Sequence, residues 1–391
     1  MSAALLAASC RSSAPPPLST APAARTARPT PVATPVPPTA PAATMPAVSL
    51  AAKIGQMLMV GFRGLTVDDQ HPIAQDIRER NLGSVVLFDY DVLSARYERN
   101  IASPEQLQAL VASLQSGAEI PLLVAIDQEG GIISRLRERY GFPPTRSHQA
   151  LGELNDLGAT RQHAGAMAHT LAGLGINLNL APVVDLNVNP SNPIIAAYER
   201  SFGADPQQVT EQARAFIEAH HAAGVRCTLK HFPGHGSSTA DSHEGFVDVT
   251  QTWTRQELAP YQALVEAGVV DAIMTAHVFN AHLDPEYPAT LSHPTISGLL
   301  RKELGYDGVV ISDDMQMAAI RAHYGFETAI QKTIEAGVDI IAIGNNLVYE
   351  EDIVARTVSL ITRLVESGVL SEARIDESYR RIQRLKDSAA R

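Results

Sequence analysis

The 391-residue sequence contains little cysteine, few aromatic residues and no excess of positive charge. Its two cysteines, Cys10 and Cys227, are too few for a disulfide framework. Lysine and arginine number 31 against 42 aspartates and glutamates, so the net charge is −11 and no nucleic-acid partner is expected. After residue 45 no apolar run approaches the roughly 20 residues that span a membrane. The composition is that of an acidic globular protein, with Cys227 expected in its core.

The first 45 residues have a composition of their own, with ten of the 25 prolines, three arginines and neither an acidic nor an aromatic residue. Such a segment cannot bury enough apolar surface to offset the entropy of ordering it, so we expect an extended tether. At its start, a short apolar run from Ala3 to Ser9 precedes Cys10 and resembles the end of a bacterial lipoprotein signal. We predict a signal-like segment and tether over residues 1–45, with Cys10 as a membrane anchor and a location in the cell envelope or outside the cell. A cytoplasmic tail is the alternative.

From residue 46 to residue 391, apolar runs of strand length alternate with amphipathic runs of helix length. Ser103-Pro104 and Asp205-Pro206 mark helix starts, and a last helix is predicted near residues 375–386. Eight such repeats of a buried strand and a helix favour a closed parallel barrel. We therefore predict an α/β fold, a single (β/α)8 barrel domain over residues 46–391. The predicted strands are Met57–Phe62, Gly83–Phe88, Leu122–Asp127, Ile176–Asp185, Arg226–His231, Ala272–His277, Gly308–Asp313 and Ile340–Gly344.

Polar residues stand at the carboxyl ends of several predicted strands, where a barrel of this kind builds its active site. They are Asp127, Asp185, Lys230, His231, His277 and Asp313. The strand that ends at His231 runs into a glycine-punctuated loop with two more histidines, His235 and His243. So many groups able to transfer protons indicate an active-site loop. Gly234 and Gly236 are expected to let this loop move, so that His243 reaches a bound substrate.

Two acidic pairings indicate hydrolytic chemistry. Asp313 and Asp314 are adjacent on a strand, so we expect one to enter the barrel mouth and the other to cap the following helix. Asp241 lies two residues before His243 and can fix its tautomer and raise its basicity. A carboxylate nucleophile with a proton donor is what retaining glycoside hydrolysis requires.

A second motif surrounds the glycine pair after Asp127. Asp127 can accept two sugar hydroxyls, and the glycines are expected to let the backbone approach a ligand. Arg135 follows nearby, whereas Glu129 could face either way. Arg200 lies later, in a Glu-Arg-Ser-Phe-Gly stretch, and by itself is a weak signal.

At these residues the chain resembles glycoside hydrolase family 3, and within it the β-N-acetylhexosaminidases of the NagZ type. The shared motifs run in order through nearly all of residues 45–391, and together they are highly specific. They are DQEGG at Asp127, NLAPVVD ending at Asp185, ERSFG around Arg200, KHFPGHG at Lys230, DSH at Asp241, MTAH at Met274, PATLS at Pro288 and SDD at Ser312.

The resemblance implies a retaining exo-β-N-acetylglucosaminidase that acts on cell-wall or chitin fragments. Asp313 would be the nucleophile, His243 the acid/base and Asp241 its partner. The groups holding the terminal sugar would be Asp127, Arg135, Arg200, Lys230 and His231, with Asp185 and His277 lining or supporting the pocket. No cofactor and no metal are expected. This sequence departs from the family at Ile132, where an arginine is common, and around Ala196-Ala197-Tyr198, which looks inserted.

Several alternatives stay open from the residues alone. Because a deprotonated histidine carries no negative charge, phosphate could replace water, so phosphorolysis is one, and a β-glucosidase is another. Asp313 and Asp314 could instead orient the substrate's own acetamide for internal attack. The group His231, His235, Asp241 and His243 could bind zinc in a metal-dependent hydrolase. The last alternative is a sugar-binding lipoprotein without activity.

Overall fold

The computed structural model describes residues 48–388, and within them eight parallel strands form a barrel. The strands are β1 Leu58–Gly61, β2 Ser84–Leu87, β3 Leu123–Ile126, β4 Leu178–Asn179, β5 Arg226–Phe232, β6 Ala272–Thr275, β7 Val309–Ile311 and β8 Ile341–Ile343. Paired neighbours follow the order β7-β6-β5-β4-β3-β2-β1-β8, and a bridge between Ile311 and Ile340 joins β7 to β8. The predicted (β/α)8 barrel is therefore confirmed.

Helices surround this barrel and begin where the sequence indicated. The hydroxyl of Ser103 accepts a hydrogen bond from the amide of Gln106, and Asp205 caps its helix in the same way, each with proline at the first helical position. A π-helix, Pro294–Glu303, precedes β7. The α-helices are α1 Leu50–Gln56, α2 Pro72–Arg80, α3 Pro104–Ser116, α4 His148–Leu154, α5 Leu157–Gly173, α6 Pro206–His221, α7 Ala259–Glu266, α8 Ala318–Tyr324, α9 Phe326–Ala336, α10 Ile353–Glu366 and α11 Glu372–Asp387.

Short strand pairs decorate the loops at the carboxyl ends of the barrel strands. One hairpin after β2 pairs Tyr90–Asp91 with Arg96–Tyr97, and one after β3 pairs Gln128–Gly130 with Ile133–Ser134. A parallel pair, Val247–Asp248 with Val278–Phe279, links the loops after β5 and β6. Three short 3-10 turns complete the described structure, at Glu138–Tyr140, Arg255–Leu258 and Ala289–Leu291.

The fourth strand is much shorter than predicted. Regular pairing covers only Leu178–Asn179, whereas the prediction ran from Ile176 to Asp185. The chain stays beside β5, because the carbonyls of Ala181 and Pro182 accept from its amides and Val183 bridges Lys230. Pro182 has no amide hydrogen to donate, so the regular ladder stops. The segment nevertheless delivers Asp185 to the barrel mouth.

A buried carboxylate secures the seam where the barrel closes. Asp339, fully buried just before β8, accepts hydrogen bonds from the Val310 amide at 3.0 Å, Ser378 at 2.8 Å and Arg301 at 2.6 Å. Val310 and Arg301 contact Oδ2, and Ser378 contacts Oδ1. Arg374 and Arg381, both on α11, also lie near Oδ1, at 3.5 and 3.3 Å. The last helix is thus fixed directly to the β7–β8 seam.

The tether and lipidation site predicted for residues 1–45, Cys10 included, lie outside the described residues, so those predictions stay predictions. Between residues 48 and 388, none of the helices is both long and apolar enough to cross a bilayer. Cys227 is buried in the main core, as expected.

Candidate active site

A cavity of about 360 Å³ opens among the carboxyl ends of the barrel strands. It brings together eight of the ten residues that sequence analysis selected, although they come from distant parts of the chain. Those eight are Asp127, Arg135, Arg200, Lys230, His231, Asp241, His243 and Asp313. Asp185 and His277 are buried behind the wall and support it.

Lys230 links two carboxylates on the floor of the cavity. Its Nζ donates to Asp127 Oδ1 and lies near Glu129 Oε1, both at 2.7 Å, and its side chain is almost completely buried. Arg135 approaches the other oxygen of Asp127 at 3.6 Å. Burial raises the pKa of Asp127, but the charges of Lys230 and Arg135 outweigh it, and the net pKa is lowered. The carboxylate therefore stays ionised and able to accept sugar hydroxyls.

Arg200 extends the same network. It donates to both oxygens of Glu129, at 2.9 and 2.8 Å, and to Nε2 of His231 at 3.1 Å. Because arginine only donates, His231 Nε2 accepts and the ring proton lies on Nδ1, which donates to Asp185 Oδ2 at 2.7 Å. Asp185 also accepts from the amides of His231 and His235. One chain of hydrogen bonds thus fixes the orientation and the tautomer of His231.

The loop after β3 returns Arg135 to Asp127. The side-chain oxygen of Gln128 accepts from the amides of Arg135 and Leu136, both at 3.0 Å. Contacts within the protein already account for the glycine pair, and its approach to a ligand stays a prediction. Gly130 and Gly131 have positive φ, and an added Cβ would lie 2.2 Å from the Arg146 carbonyl oxygen at Gly130 and 2.6 Å from the Ser147 Cβ at Gly131. The glycines are needed for this turn and for close backbone packing.

Both members of the acidic pair line the cavity. Burial raises the pKa of Asp313, but nearby His277, His231 and His243 and the Asp314 amide lower it to about 2. Burial raises the pKa of Asp314 to about 6. Asp313 is therefore fully ionised at neutral pH and available as a nucleophile, whereas Asp314 titrates much closer to neutral pH.

The expectation that one acid faces the mouth while the other caps a helix was wrong. Asp314 Oδ1 accepts from the amides of Gly344 at 2.9 Å and Gln316 at 3.0 Å, whereas α8 begins only after Met317. It fastens the end of β7 to the end of β8. His277 supports the same turn from behind, because its Nε2 donates to the Asp314 carbonyl oxygen at 3.0 Å.

The loop after β5 presents an imidazole at the edge of the cavity. His243 Nδ1 donates to Asp241 Oδ1 at 2.8 Å, and the same oxygen accepts the His243 amide at 2.9 Å. This leaves Nε2 for proton transfer, and half of the side chain is exposed. Burial lowers the pKa of His243, but the Asp241 hydrogen bond and the charge of Asp313 outweigh it, so the net pKa is raised. Such a ring suits a general acid at neutral pH.

Glycines in this loop also have a packing role. An added Cβ on Gly236 would lie 1.8 Å from the Leu186 carbonyl oxygen, and one on Gly234 would lie 2.6 Å from Glu257 Cβ. The Gly236 amide donates to Glu257 Oε2 at 2.9 Å. The first half of the loop is therefore packed closely, and movement of the His243 end stays a prediction.

Sequence reasoning left Glu129 undecided, yet it is central to the floor. It is 2% exposed and pairs with both Lys230 and Arg200. It lies two positions after Asp127, and in extended backbone that spacing places two side chains on one face. The sequence therefore contained a signal for Glu129, whereas no pattern in it indicated that Tyr90, Val92 and Tyr198 line the cavity.

Among residues 48–388, no group of three or more histidines, cysteines, aspartates or glutamates is placed to hold a metal ion. In the group considered for zinc, both ring nitrogens of His231 are engaged by Arg200 and Asp185. Nδ1 of His243 is likewise engaged by Asp241. These contacts favour acid, base and nucleophile roles over metal ligation.

Comparisons with known proteins identify the family of this chain. The family model described as "Glycosyl hydrolase family 3 N terminal domain" matches residues 49–385. The chain is 34% identical over 366 residues to Beta-hexosaminidase A of Pseudoalteromonas piscicida, which covers 85% of this chain and 60% of that protein. It is 38% identical over 294 residues to the Beta-hexosaminidase of Xylella fastidiosa (strain M23), which covers 73% of this chain and 83% of the relative.

A solved structure shows the same barrel. The glycoside hydrolase family 3 beta-N-acetylglucosaminidase from Paenibacillus sp. str. FPU-7 superimposes with a TM-score of 0.80 at 38% identity, over 88% of this chain and 63% of that one. This chain therefore spans somewhat under two thirds of the length of the Pseudoalteromonas and Paenibacillus proteins. The match of the family model and these similarities show that the chain belongs to glycosyl hydrolase family 3.

Proposed function

We propose that this protein is a retaining exo-β-N-acetylglucosaminidase. The observation that carries the proposal is that Asp313, held ionised, and the Asp241–His243 pair line one cavity above a charged floor. The relatives named β-hexosaminidase and β-N-acetylglucosaminidase support the choice of an acetamido sugar. In this proposal the floor holds the terminal sugar through Asp127, Arg135, Arg200, Lys230 and His231.

The reaction then has two steps. In the first, an oxygen of Asp313 attacks the anomeric carbon, the glycosidic bond breaks, and His243 Nε2 gives its proton to the leaving oxygen. In the second, neutral His243 removes a proton from water, the water oxygen attacks the same carbon, and Asp313 leaves as a carboxylate. Asp241 holds the ring in the required tautomer and stabilises its charged form.

We further propose that the substrates are cell-wall or chitin fragments and that Cys10 anchors the chain in the cell envelope. The signal-like run before Cys10 supports this location. Cys10→Ser should move the protein from the membrane fraction to the soluble fraction of the cells, and cell fractionation measures this. An unchanged distribution would reject the anchor.

The test of the activity is hydrolysis of 4-nitrophenyl β-N-acetylglucosaminide beside the plain β-glucoside. We expect the wild type to cleave the acetamido sugar, Asp313→Ala to be inactive and His243→Ala to be strongly slowed. Asp307→Ala is the matched control, because Asp307 is exposed and does not line the cavity. Activity that survives Asp313→Ala would reject the nucleophile.

Two further experiments distinguish the proposed mechanism from internal attack by the acetamide and from phosphorolysis. A fluorinated substrate should leave a covalent adduct on the peptide that contains Asp313, whereas internal attack by the acetamide would leave none. Reaction in phosphate buffer, followed by a search for the sugar 1-phosphate, distinguishes phosphorolysis from hydrolysis.

A further inference from the structure

Two exposed apolar side chains flank the mouth of the cavity. Val92 is 45% exposed and Tyr198 is 40% exposed, and both line the cavity. Among the described residues, the other large apolar side chains that line it are more deeply buried. Exposed apolar surface beside a polar pocket is typical of a binding surface.

Tyr198 is positioned by a rigid turn next to the floor. The amides of Ala197 and Glu199 donate to the carbonyls of Asn192 and Ala196, both at 3.0 Å, and Arg200 follows two residues later. Asn192 donates in turn to the His235 carbonyl oxygen at 2.8 Å. The Tyr198 hydroxyl forms no hydrogen bond within residues 48–388, so its ring and hydroxyl are available to a ligand.

Val92 is positioned by the hairpin after β2. Asn346 accepts from the Val92 amide and donates to the Tyr90 carbonyl oxygen, both at 3.0 Å. Asp91 accepts two hydrogen bonds from Arg63, at 2.7 and 3.0 Å, and is also paired with buried Arg99. The hairpin is therefore a fixed wall of the mouth.

At the foot of this hairpin, Asp89 offers a polar contact. It lines the cavity and is 1% exposed, with Oδ2 held by Arg137 Nε at 2.6 Å. Its Oδ1 has no hydrogen-bond partner among the described residues. A buried carboxylate oxygen without a partner is costly, and a ligand hydroxyl would satisfy it.

We propose that Tyr198 and Val92 form the two sides of a leaving-group subsite that binds a second pyranose ring, with Asp89 accepting one of the sugar hydroxyls. This inference rests on the proposed function. If the terminal sugar occupies the buried floor, the leaving group must extend towards solvent, and Tyr198 and Val92 are the exposed large apolar side chains of the cavity lining among the described residues. A pyranose presents an apolar C–H face to an aromatic ring and hydroxyls at its rim, which matches the chemistry of this mouth.

The test compares two substrates that differ only in the leaving group. N,N′-diacetylchitobiose has a second sugar ring, whereas methyl β-N-acetylglucosaminide has none. Tyr198→Ala should lower kcat/KM about tenfold for the disaccharide and leave the methyl glycoside within twofold. Tyr198→Phe, which keeps the ring, should stay close to the wild type on both.

Val92→Ser should also lower kcat/KM for the disaccharide alone, but by less than Tyr198→Ala does. Its matched control is Val369→Ser, because Val369 is 48% exposed and does not line the cavity. Tyr379→Ala on α11 is the control for loss of a tyrosine ring. Melting temperatures of all variants show whether a loss comes from unfolding.

Equal losses on both substrates, or no loss on either, would overturn the subsite while leaving the proposed function intact. A wild-type protein that cleaves neither substrate would overturn the proposed function and the subsite together. A disaccharide-specific loss in Tyr198→Ala that Tyr198→Phe does not share would establish the subsite.

Discussion

The floor of the cavity and the loop that carries His243 are built in opposite ways. On the floor, Lys230 and Glu129 are each 2% exposed and take part in a continuous chain of charged contacts. On the loop, His243 is half exposed and is held by a single carboxylate, Asp241. The groups that we propose to bind the substrate are thus fixed before it arrives, whereas the proposed proton donor keeps contact with solvent.

This difference has an energetic meaning. Buried charges on the floor are costly unless every partner is present, so its residues should affect stability and activity together. An exposed pair contributes little to stability, so the loop should affect catalysis alone. Variants of the two regions should separate these effects, beginning with the largest.

Lys230→Met should remove both stability and activity. It leaves Asp127 and Glu129 without their shared cation, and we expect a loss of about 3–5 kcal/mol in the free energy of unfolding. Turnover of the β-N-acetylglucosaminide should fall by more than about a thousandfold. Urea denaturation and steady-state kinetics measure the two effects.

The control for that change is Lys332→Met, which breaks an exposed pair with Glu335. It should cost no more than about 0.5 kcal/mol and leave the kinetics unchanged. A Lys230→Met protein as stable as this control would show that the floor is not held by charge pairing.

Asp241→Asn should change the pH profile without changing stability. The hydrogen bond to Asp241 helps to raise the pKa of His243, and the general acid must be protonated to act. Activity should therefore fall at a lower pH on the alkaline side, and kcat should drop by roughly 10–100-fold. Profiles of kcat/KM against pH measure the shift.

The melting temperature of Asp241→Asn should match that of the wild type within about 1 °C. An unchanged alkaline limb would mean that a group other than His243 controls it. On the acid side, Asp313 should not limit the rate until the pH approaches its pKa of about 2.

Glu257→Gln should give the smallest effect, a gain in stability at high pH. Burial and the nearby charge of Asp185 raise the pKa of Glu257 to about 7. A carboxyl group with a raised pKa favours folding while it is protonated, and that contribution is lost as the pH rises through 7. Glutamine stays neutral and can still accept from the Gly236 amide.

We therefore expect Glu257→Gln to be more stable than the wild type by roughly 1–3 kcal/mol at pH 8.5 and by less than about 0.5 kcal/mol at pH 4.5. Thermal unfolding at the two pH values checks this. A difference that does not depend on pH would mean that Glu257 does not titrate in this range.

The sequence was sufficient for the barrel and for most of the floor. Asp127, Lys230 and Asp313 stand at the ends of buried strands, and a closed barrel brings such ends together wherever they lie in the chain. The roles of Asp314, Gly130 and Gly131 depend on backbone atoms from distant segments, which local spacing does not reveal. The mouth residues Val92 and Tyr198 depend on loop conformation and could not be predicted.

Closure of the barrel also determines when the chain can fold. β1 lies near the start of the described chain, but one of its two neighbours is β8, and α11 reaches back through Lys386 to Gly83 and Gln56. During synthesis at roughly 5–20 residues per second, β1 waits many seconds for that partner. A nascent chain therefore carries an unpaired apolar strand edge until β8 has been made, which makes the time before β1 and β8 pair the period of greatest aggregation risk.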